Sequence, residues 1–224
     1  MTPSRLPPAQ LPDSFPIFPL GGALLLPQGR LPLNIFEPRY RTMVEDSLGQ
    51  GRYLGMVQPD KHIPPGPQGP GLYRIGCLGR ITAFEETDDG RYLITLTGII
   101  RFTILEEPVE QRGYLRVHAD VSAFLDDLAP DTTPVFPFPR PSLLEVLQRY
   151  FSAAGFGANW ENINKMEDAA LLTSLCMVCP FTIEEKQALL EAGTIAQRAQ
   201  TLRTLLEIHA FESGSSPPPS SKMN

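Results

Sequence analysis

The sequence has few cysteines, few basic residues and no long hydrophobic run. Three cysteines in 224 residues cannot form a complete set of disulfides, so we expect a reducing, cytoplasmic environment. The first fourteen residues contain no apolar stretch of the kind that a signal peptide needs. The longest apolar stretch, residues 20–26, is far shorter than the ~20 residues that span a bilayer. We therefore expect no membrane partner.

Positive charge is scarce as well. The chain has 19 Lys and Arg residues against 25 Asp and Glu residues, a net charge of −6. A protein of this charge is a poor candidate for binding the phosphates of nucleic acid, so no nucleic-acid partner is expected. The hydrophobic content of 42% is too high for a disordered chain and indicates a folded protein.

The motifs of several enzyme classes are absent from the sequence. It has no Walker loop, no Gly-x-Ser-x-Gly elbow and no His-Glu-x-x-His. Lys186, one of four lysines, is expected in a solvated first helical turn and not in the apolar setting that a Ser–Lys dyad requires. Cys176 and Cys179 form a Cys-x-x-Cys at the C-terminal end of a predicted helix, where the dipole does not activate a thiol. We predict no catalytic residue, no metal and no cofactor.

Proline, in contrast, is abundant and punctuates the chain. Most of the 24 prolines fall in residues 3–38, 59–70, 130–141 and 217–219. Between the first and third clusters we predict one helix, Pro38 to Leu48, and a hairpin over residues 76–104 that turns at Asp89-Gly90. Further short apolar or alternating runs indicate strands, and several short strands of this kind favour a barrel or a sandwich. These runs cover residues 15–20, 23–26, 31–36, 53–58 and 114–121.

The C-terminal third has a helical pattern. Capping boxes are predicted to begin helices at Ser142, Thr182 and Thr194, and a further helix is predicted over residues 167–178. Gly193 is predicted to separate the last two helices. The resulting organisation is a flexible N-terminus (1–14), a β-rich subdomain (15–125), a Pro-rich linker (126–141), a helical bundle (142–211) and a disordered tail (212–224).

The run Ile35-Phe-Glu-Pro-Arg-Tyr40 is the most distinctive short segment. One interpretation makes Phe36, Glu37, Arg39 and Tyr40 an anion or peptide contact. The interpretation that we favour is structural: a strand-to-helix corner held by a buried Glu37 that pairs with backbone amides, Arg39 or Arg101, because a buried charge must be paired.

Two proline-rich segments supply further candidate contacts. Long loops in compact domains are often functional, and residues 59–71 form such a loop. The candidate contacts in this loop, beside it and in the linker are His62, Ile63, Leu72, Phe136 and Phe138.

Three blocks resemble the N-terminal domain family of Lon proteases. They are residues 15–20 with 31–40, then Gly98-Ile-Ile-Arg-Phe102, and finally residues 179–190. The resemblance implies an α+β fold, with a twisted, PUA-like β-barrel subdomain followed by a helical bundle. It also implies a non-catalytic module whose partners are unfolded or exposed polypeptide segments, or another protein. The 224 residues contain neither the ATPase nor the Ser–Lys protease elements of full-length Lon, so the chain resembles a stand-alone Lon-domain protein and proteolysis is not expected.

Two other functions remain open. A small hydrolase would need a deep pocket with perturbed carboxylates or a Cys–His pair. An RNA-binding role rests on analogy with PUA-like folds, and the acidic charge argues against it. An exposed apolar groove with few titratable groups would favour the binding module.

Overall fold

The computed structural model describes residues 11–66, 69–129 and 135–215. These residues form two compact units. The first unit combines the described part of Met1–Asp131 with Met177–Glu191, and the second combines that of Thr132–Cys176 with that of Ala192–Asn224. The predicted flexible N-terminus, linker and tail lie wholly or partly outside the described residues.

Seven strands form the sheet of the first unit, in the order β2-β5-β4-β3-β1-β7-β6. A parallel pairing joins β1 and β3, and the other pairings are antiparallel. β5 also pairs with β7 at Thr103↔Asp120 and Ile104↔Ala119, so β5, β4, β3, β1 and β7 close a ring with β2 and β6 outside it. The strands are β1 Ser14–Pro19, β2 Arg30–Ile35, β3 Tyr53–Val57, β4 Ile75–Glu86, β5 Tyr92–Ile104, β6 Val109–Gln111 and β7 Tyr114–Asp120.

The predicted fold class, α+β with a β-rich first part and helices after it, is confirmed, although the sheet is ring-like and not a clear barrel. The predicted helix after the second strand is α1 Pro38–Gly49. The predicted hairpin is β4–β5, and Gly90 adopts the positive φ of 76° that its turn requires. The short strand β6 and a 3-10 segment, Ser122–Leu128, were not predicted.

The ring encloses an apolar core to which most of its strands contribute. Phe15 and Phe102 pack edge to face with ring centroids 4.9 Å apart, and Ile17, Leu78 and Val117 are buried with them. Each such side chain stabilises the fold by roughly 1.5–3 kcal/mol when it is fully buried. The core therefore holds the sheet as a rigid support for the segments at its edges.

The apolar run at residues 23–26 is not a strand. Its leucines, Leu24, Leu25 and Leu26, are buried, but the segment passes over β5 without joining the sheet. A Cβ atom on Gly98 would collide with the carbonyl oxygen of Leu26, so the close approach requires a glycine at this position. The prediction of a strand here was wrong because an irregular apolar segment has the same local pattern.

The helices after the sheet divide between the two units. They are α2 Arg140–Ala154, α3 Trp160–Lys165, α4 Asp168–Val178, α5 Ile183–Glu191 and α6 Ile195–Ser215. α2 packs against α6 in the second unit. α5 groups with the strands of the first unit, where the Gln187 side chain donates to the Ile75 carbonyl at 3.1 Å, whereas the sequence pattern had placed it with the other helices.

Two of the three predicted capping boxes are present. Thr182 and Glu185 exchange their bonds at 3.2 and 2.8 Å, and Thr194 and Gln197 exchange theirs at 3.1 Å each, so α5 and α6 are separate helices as predicted. The box at Ser142 is absent, because α2 begins two residues earlier at Arg140, and the Ser142 hydroxyl donates to the Pro139 carbonyl instead.

Candidate functional site

A three-stranded arm extends from the ring. β4 pairs with β3 only as far as Tyr53↔Arg80, and beyond that point it pairs with β5 alone. The other side of β5 carries β2. We call residues 82–86 of β4, 92–97 of β5 and all of β2 the arm.

The register assigns the side chains of the arm to two faces, because residues directly opposite each other in a sheet point to the same side. β5 residues Tyr92 and Ile94, which are buried, define the inner face. Leu93 and Thr95 define the outer face. The other residues of the outer face, opposite these two, are Pro32, Asn34, Ala83 and Glu85.

An open groove of about 410 Å³ lies on the outer face, and all six outer-face residues line it. Leu93 is 40% exposed within it. Asn34 and Thr95 supply an amide and a hydroxyl that can form hydrogen bonds. Glu85 is the sole titratable residue among those that line the groove, so the groove offers an apolar surface without a pair of acid and base groups.

The inner face attaches the arm to α1. The Tyr92 hydroxyl donates to Glu45 Oε1 at 2.7 Å, and the Arg41 guanidinium lies 4.9 Å from the centroid of the Tyr92 ring. The Phe84 ring also packs against Tyr92, with the two ring centroids 5.0 Å apart. These contacts fix the arm, so the groove on the opposite face is preformed.

The segment that follows β2 contains four of the predicted site residues. Phe36 is 63% exposed, and strand alternation places it on the same side as Asn34, at the end of the outer face. Glu37 accepts from Arg39 Nε at 3.0 Å, but their side chains are 42% and 54% exposed. The partner Arg39 was predicted correctly. The burial of Glu37 was not, because its side chain makes no cap bond to the first turn of α1.

Tyr40 has a structural position beside this segment. It packs on Phe18 with ring centroids 4.4 Å apart, and the Arg39 guanidinium lies 4.5 Å from the Tyr40 centroid. Partial burial raises the pKa of the Tyr40 hydroxyl.

Arg101 does not pair with Glu37. It is 4% exposed and forms an ion pair with Asp127 at 2.9 Å, while Nη1 donates to the Leu190 carbonyl at 3.1 Å. The Arg101 guanidinium also lies 4.7 Å from the Phe124 ring centroid. These partners lie in the 3-10 segment and in α5, whose approach to β5 has no local signal in the sequence.

The remaining predicted contacts do not converge on one place. His62 and Ile63 are exposed in the loop, where the His62 backbone donates to Asp60, and Leu72 packs against the ring core. Phe136 and Phe138 belong to the second unit and stack with centroids 5.7 Å apart. Phe136 is buried, which is the position of a packing residue.

Lys186 is buried, contrary to the prediction of a solvated position. The residue is only 6% exposed, and its Nζ donates to the carbonyls of Gly22 at 2.6 Å and Met177 at 3.3 Å. Burial lowers the pKa of Lys186 and raises that of the Cys179 thiol to about 12. A thiol with a raised pKa is a poor nucleophile, and the Lys186 ammonium donates to backbone carbonyls. The arrangement of these two residues is therefore that of packing residues and not of a catalytic pair.

The described residues contain no group of three or more His, Cys, Asp or Glu side chains that could hold a metal ion. None of the helices in this part of the chain combines the length and the apolar character that crossing a bilayer demands.

The groove was not predicted, although the sequence contains a signal for it. The β4 run is twelve residues long and its neighbour β3 is five residues long. A long strand beside a short one must leave residues that pair on one side only. This overhang, together with the exposed Leu93 on β5, produces the outer face.

Comparison with known proteins places these features in a family. "Lon protease 2" of Sorangium cellulosum is 33% identical over 102 residues, which are 45% of this chain and 13% of that protein. "Lon protease" of Syntrophus aciditrophicus is 25% identical over 217 residues, 91% of this chain and 26% of that protein. The chain thus spans about a quarter or less of the length of these two relatives.

Solved structures show the same fold. A Lon N-terminal domain protein from Xanthomonas campestris matches with a TM-score of 0.58 and 22% identity, covering 85% of this chain and 97% of that one. The N-terminal domain of the Mycobacterium avium complex Lon protease matches with a TM-score of 0.57 and 15% identity, covering 88% and 99%. Residues 14–207 match the family model of the ATP-dependent protease La (LON) substrate-binding domain, and the chain belongs to this family.

Proposed function

We propose that this protein is a non-catalytic module that binds unfolded or exposed polypeptide segments in the groove of the arm. The observation that carries the proposal is the groove itself: an open, largely apolar surface in which Glu85 alone is titratable. Exposed apolar surfaces of this kind are typical of protein-interaction sites. The family description, a substrate-binding domain, supports the same class of ligand.

The groove is suited to low-affinity binding of polypeptide segments that share no particular sequence. Leu93 and Phe36 offer exposed apolar area at the centre and the end of the outer face, while Asn34 and Thr95 offer hydrogen bonds to a backbone. Binding of a flexible chain must offset its ordering entropy. We therefore expect a micromolar dissociation constant, roughly −8 kcal/mol.

A hydrolase is the less favoured alternative. Hydrolysis requires an activated nucleophile or a pair of titratable groups at one cavity. The groove has a single carboxylate. Lys186 and Cys179, whose pKa values are shifted by burial, lie in the interior, where Lys186 Nζ donates to a backbone carbonyl.

A stand-alone adaptor role in the cytoplasm, in which the module delivers bound segments to a partner protein, extends the proposal of polypeptide binding.

Fluorescence anisotropy of a labelled, reduced and alkylated unfolded protein tests the binding. Leu93→Asp places a charge in the groove and should weaken binding about tenfold, the equivalent of ~1.4 kcal/mol. Leu105→Asp is the matched control, since Leu105 is an exposed leucine of the same unit outside the groove.

Equal affinities of the wild type and Leu93→Asp would contradict the groove as the binding surface. Absence of binding at high micromolar concentration would contradict polypeptide capture altogether. A casein-degradation assay with ATP tests the enzymatic alternative, and cleavage by the pure chain would overturn the non-catalytic assignment.

A further inference from the structure

We propose that the free edge of β4 takes up an extended, positively charged peptide segment as an additional β-strand. The free edge is the side of residues 82–86 that faces away from β5. This inference rests on the proposed function and names the binding mode and the class of segment that the module prefers.

The hydrogen bonds of β4 show which backbone groups are available. The Ile81 N–H donates to the Arg52 carbonyl at 2.8 Å, on the side of β3. The Thr87 N–H donates to the Arg91 carbonyl at 2.9 Å, on the side of β5. A register shift between Ile81 and Ala83 interrupts the alternation of N–H and C=O directions along β4, so the direction is counted from Thr87. Counting back from Thr87, Phe84 and Glu86 direct their N–H and C=O groups away from β5.

The exposure of these residues agrees with a free edge. All five residues of the segment 82–86 are exposed, and in the described part of the chain β5 is the one strand paired with them. Two N–H and two C=O groups, two residues apart, thus match the repeat of an incoming strand. Addition of a strand to such an edge is a recurring mode of peptide recognition.

The other edges of the described sheet are less suitable. β2 carries Pro32, which has no N–H to donate, and proline on an edge strand blocks further pairing. β6 is only three residues long. The β4 edge has neither obstacle.

The charge around the edge selects the ligand. Between Glu85 and Arg91 the chain has four acidic residues, Glu85, Glu86, Asp88 and Asp89, and one basic residue. Arg91 pairs with Asp89 at 2.8 Å. Glu85 and Asp88 have no salt bridge within the described residues, and they give the edge a negative field that attracts lysine and arginine.

An incoming strand would also meet both faces of the arm. Its outer side chains would lie beside Ala83 and Glu85, where they extend the groove. Its inner side chains would lie beside Phe84, whose exposed ring offers apolar contact, and Glu86. The preferred segment therefore combines basic and apolar residues in an extended conformation.

The first experiment compares three fluorescein-labelled decapeptides by anisotropy: alternating valine and lysine, the same with glutamate for lysine, and the lysine peptide N-methylated at every residue. The lysine peptide should bind at least about tenfold more tightly than the glutamate peptide, and its affinity should fall with added salt. N-methylation at every residue removes the backbone donors of both edges of the peptide and should abolish binding. An N-methylated peptide that binds as well as its parent would overturn the inference.

The second experiment changes the protein. Glu86→Pro removes the outward N–H together with the charge, whereas the matched control Glu86→Ala removes the charge alone. Glu86→Pro should bind the lysine peptide about tenfold more weakly than Glu86→Ala, with thermal melting to verify that both fold. Equal affinities of two folded variants would overturn the inference, and the N-methylated peptide tests it independently if Glu86→Pro does not fold.

The two proposals fail differently. Leu93→Asp reports on capture of unfolded polypeptide by the groove, and Glu86→Pro reports on strand addition. Weaker capture by Leu93→Asp with no effect of Glu86→Pro would reject strand addition and retain the proposed function. If neither variant binds its ligand more weakly than its control, both proposals are rejected.

Discussion

Arg101 and Asp127 form a bidentate ion pair inside the first unit. Arg101 Nε donates to Oδ2 and Nη2 donates to Oδ1, each at 2.9 Å, and the Arg101 backbone N–H adds a third bond at 3.0 Å. Both side chains are buried. The pair ties β5 to the 3-10 segment, and the bond from Arg101 to the Leu190 carbonyl ties β5 to α5.

We expect the Arg101–Asp127 pair to be essential for stability. Asp127→Ala leaves a buried guanidinium without its counter-charge and should lower the free energy of unfolding by about 3–5 kcal/mol. Glu37→Ala is the control, since the exposed Glu37–Arg39 pair should contribute under about 1 kcal/mol. Urea unfolding followed by circular dichroism measures both, and similar losses in the two variants would contradict the assignment.

The helix starts provide a second prediction. Thr194→Ala removes the Oγ1 that accepts from the Gln197 N–H at 3.1 Å and should cost about 1 kcal/mol. Ser142→Ala removes a hydroxyl that caps no helix and should change stability by less than about 0.5 kcal/mol. Thermal melting of the two variants compares them, and a larger loss for Ser142→Ala would show that the cap assignments are wrong.

Local sequence signals predicted the elements that depend on neighbouring residues. The Asp-Gly turn at Gly90 and the caps at Thr182 and Thr194 each specify a conformation within a few residues, and the structure has all three. The start of α2 shows the limit of such signals. A capping box at Ser142 was as plausible from the local sequence as the other two, but the helix begins two residues earlier, at Arg140.

The residues that were misjudged depend on contacts across long sequence separations. Arg101 meets Asp127, 26 residues away, and Lys186 meets the Gly22 carbonyl, 164 residues away. Nothing within a few residues of Glu37 or Lys186 reveals whether another segment will cover it. The groove has the same origin in part, because β2, which completes it, is far in sequence from the β4–β5 hairpin with which it pairs.

A further prediction concerns the three thiols. Cys77, Cys176 and Cys179 are buried, and burial raises the pKa of the Cys179 thiol to about 12. Because the thiolate is the reactive form, we expect no rapid reaction of the native protein with Ellman's reagent at neutral pH and reaction of all three thiols in guanidinium. A native thiol that reacts within seconds would contradict this and would reopen a redox role for Cys176 and Cys179.

The last prediction concerns the pH dependence of stability at Lys186. Burial lowers the pKa of Lys186 in the folded state, while the unfolded chain keeps the usual value near 10.5. Between the two values the unfolded state binds more protons than the folded state, so the contribution of Lys186 to stability rises with pH in that window. The free energy of unfolding of the wild type, minus that of Lys186→Met, should therefore increase as the pH approaches about 10.5, with a slope below the one-proton limit of about 1.4 kcal/mol per pH unit.

Lys61→Met is the matched control for this measurement. Lys61 is exposed and its hydrogen bond to Glu184 raises its pKa, so its contribution to stability is present below about 10.5 and is lost as the pH rises through the folded-state pKa. The difference between the wild type and Lys61→Met should accordingly not increase with pH. Urea titrations at several pH values between about 7 and 10.5 give both differences. A wild type and Lys186→Met that keep a constant difference over this range would show that Lys186 is as well solvated in the folded state as in the unfolded chain.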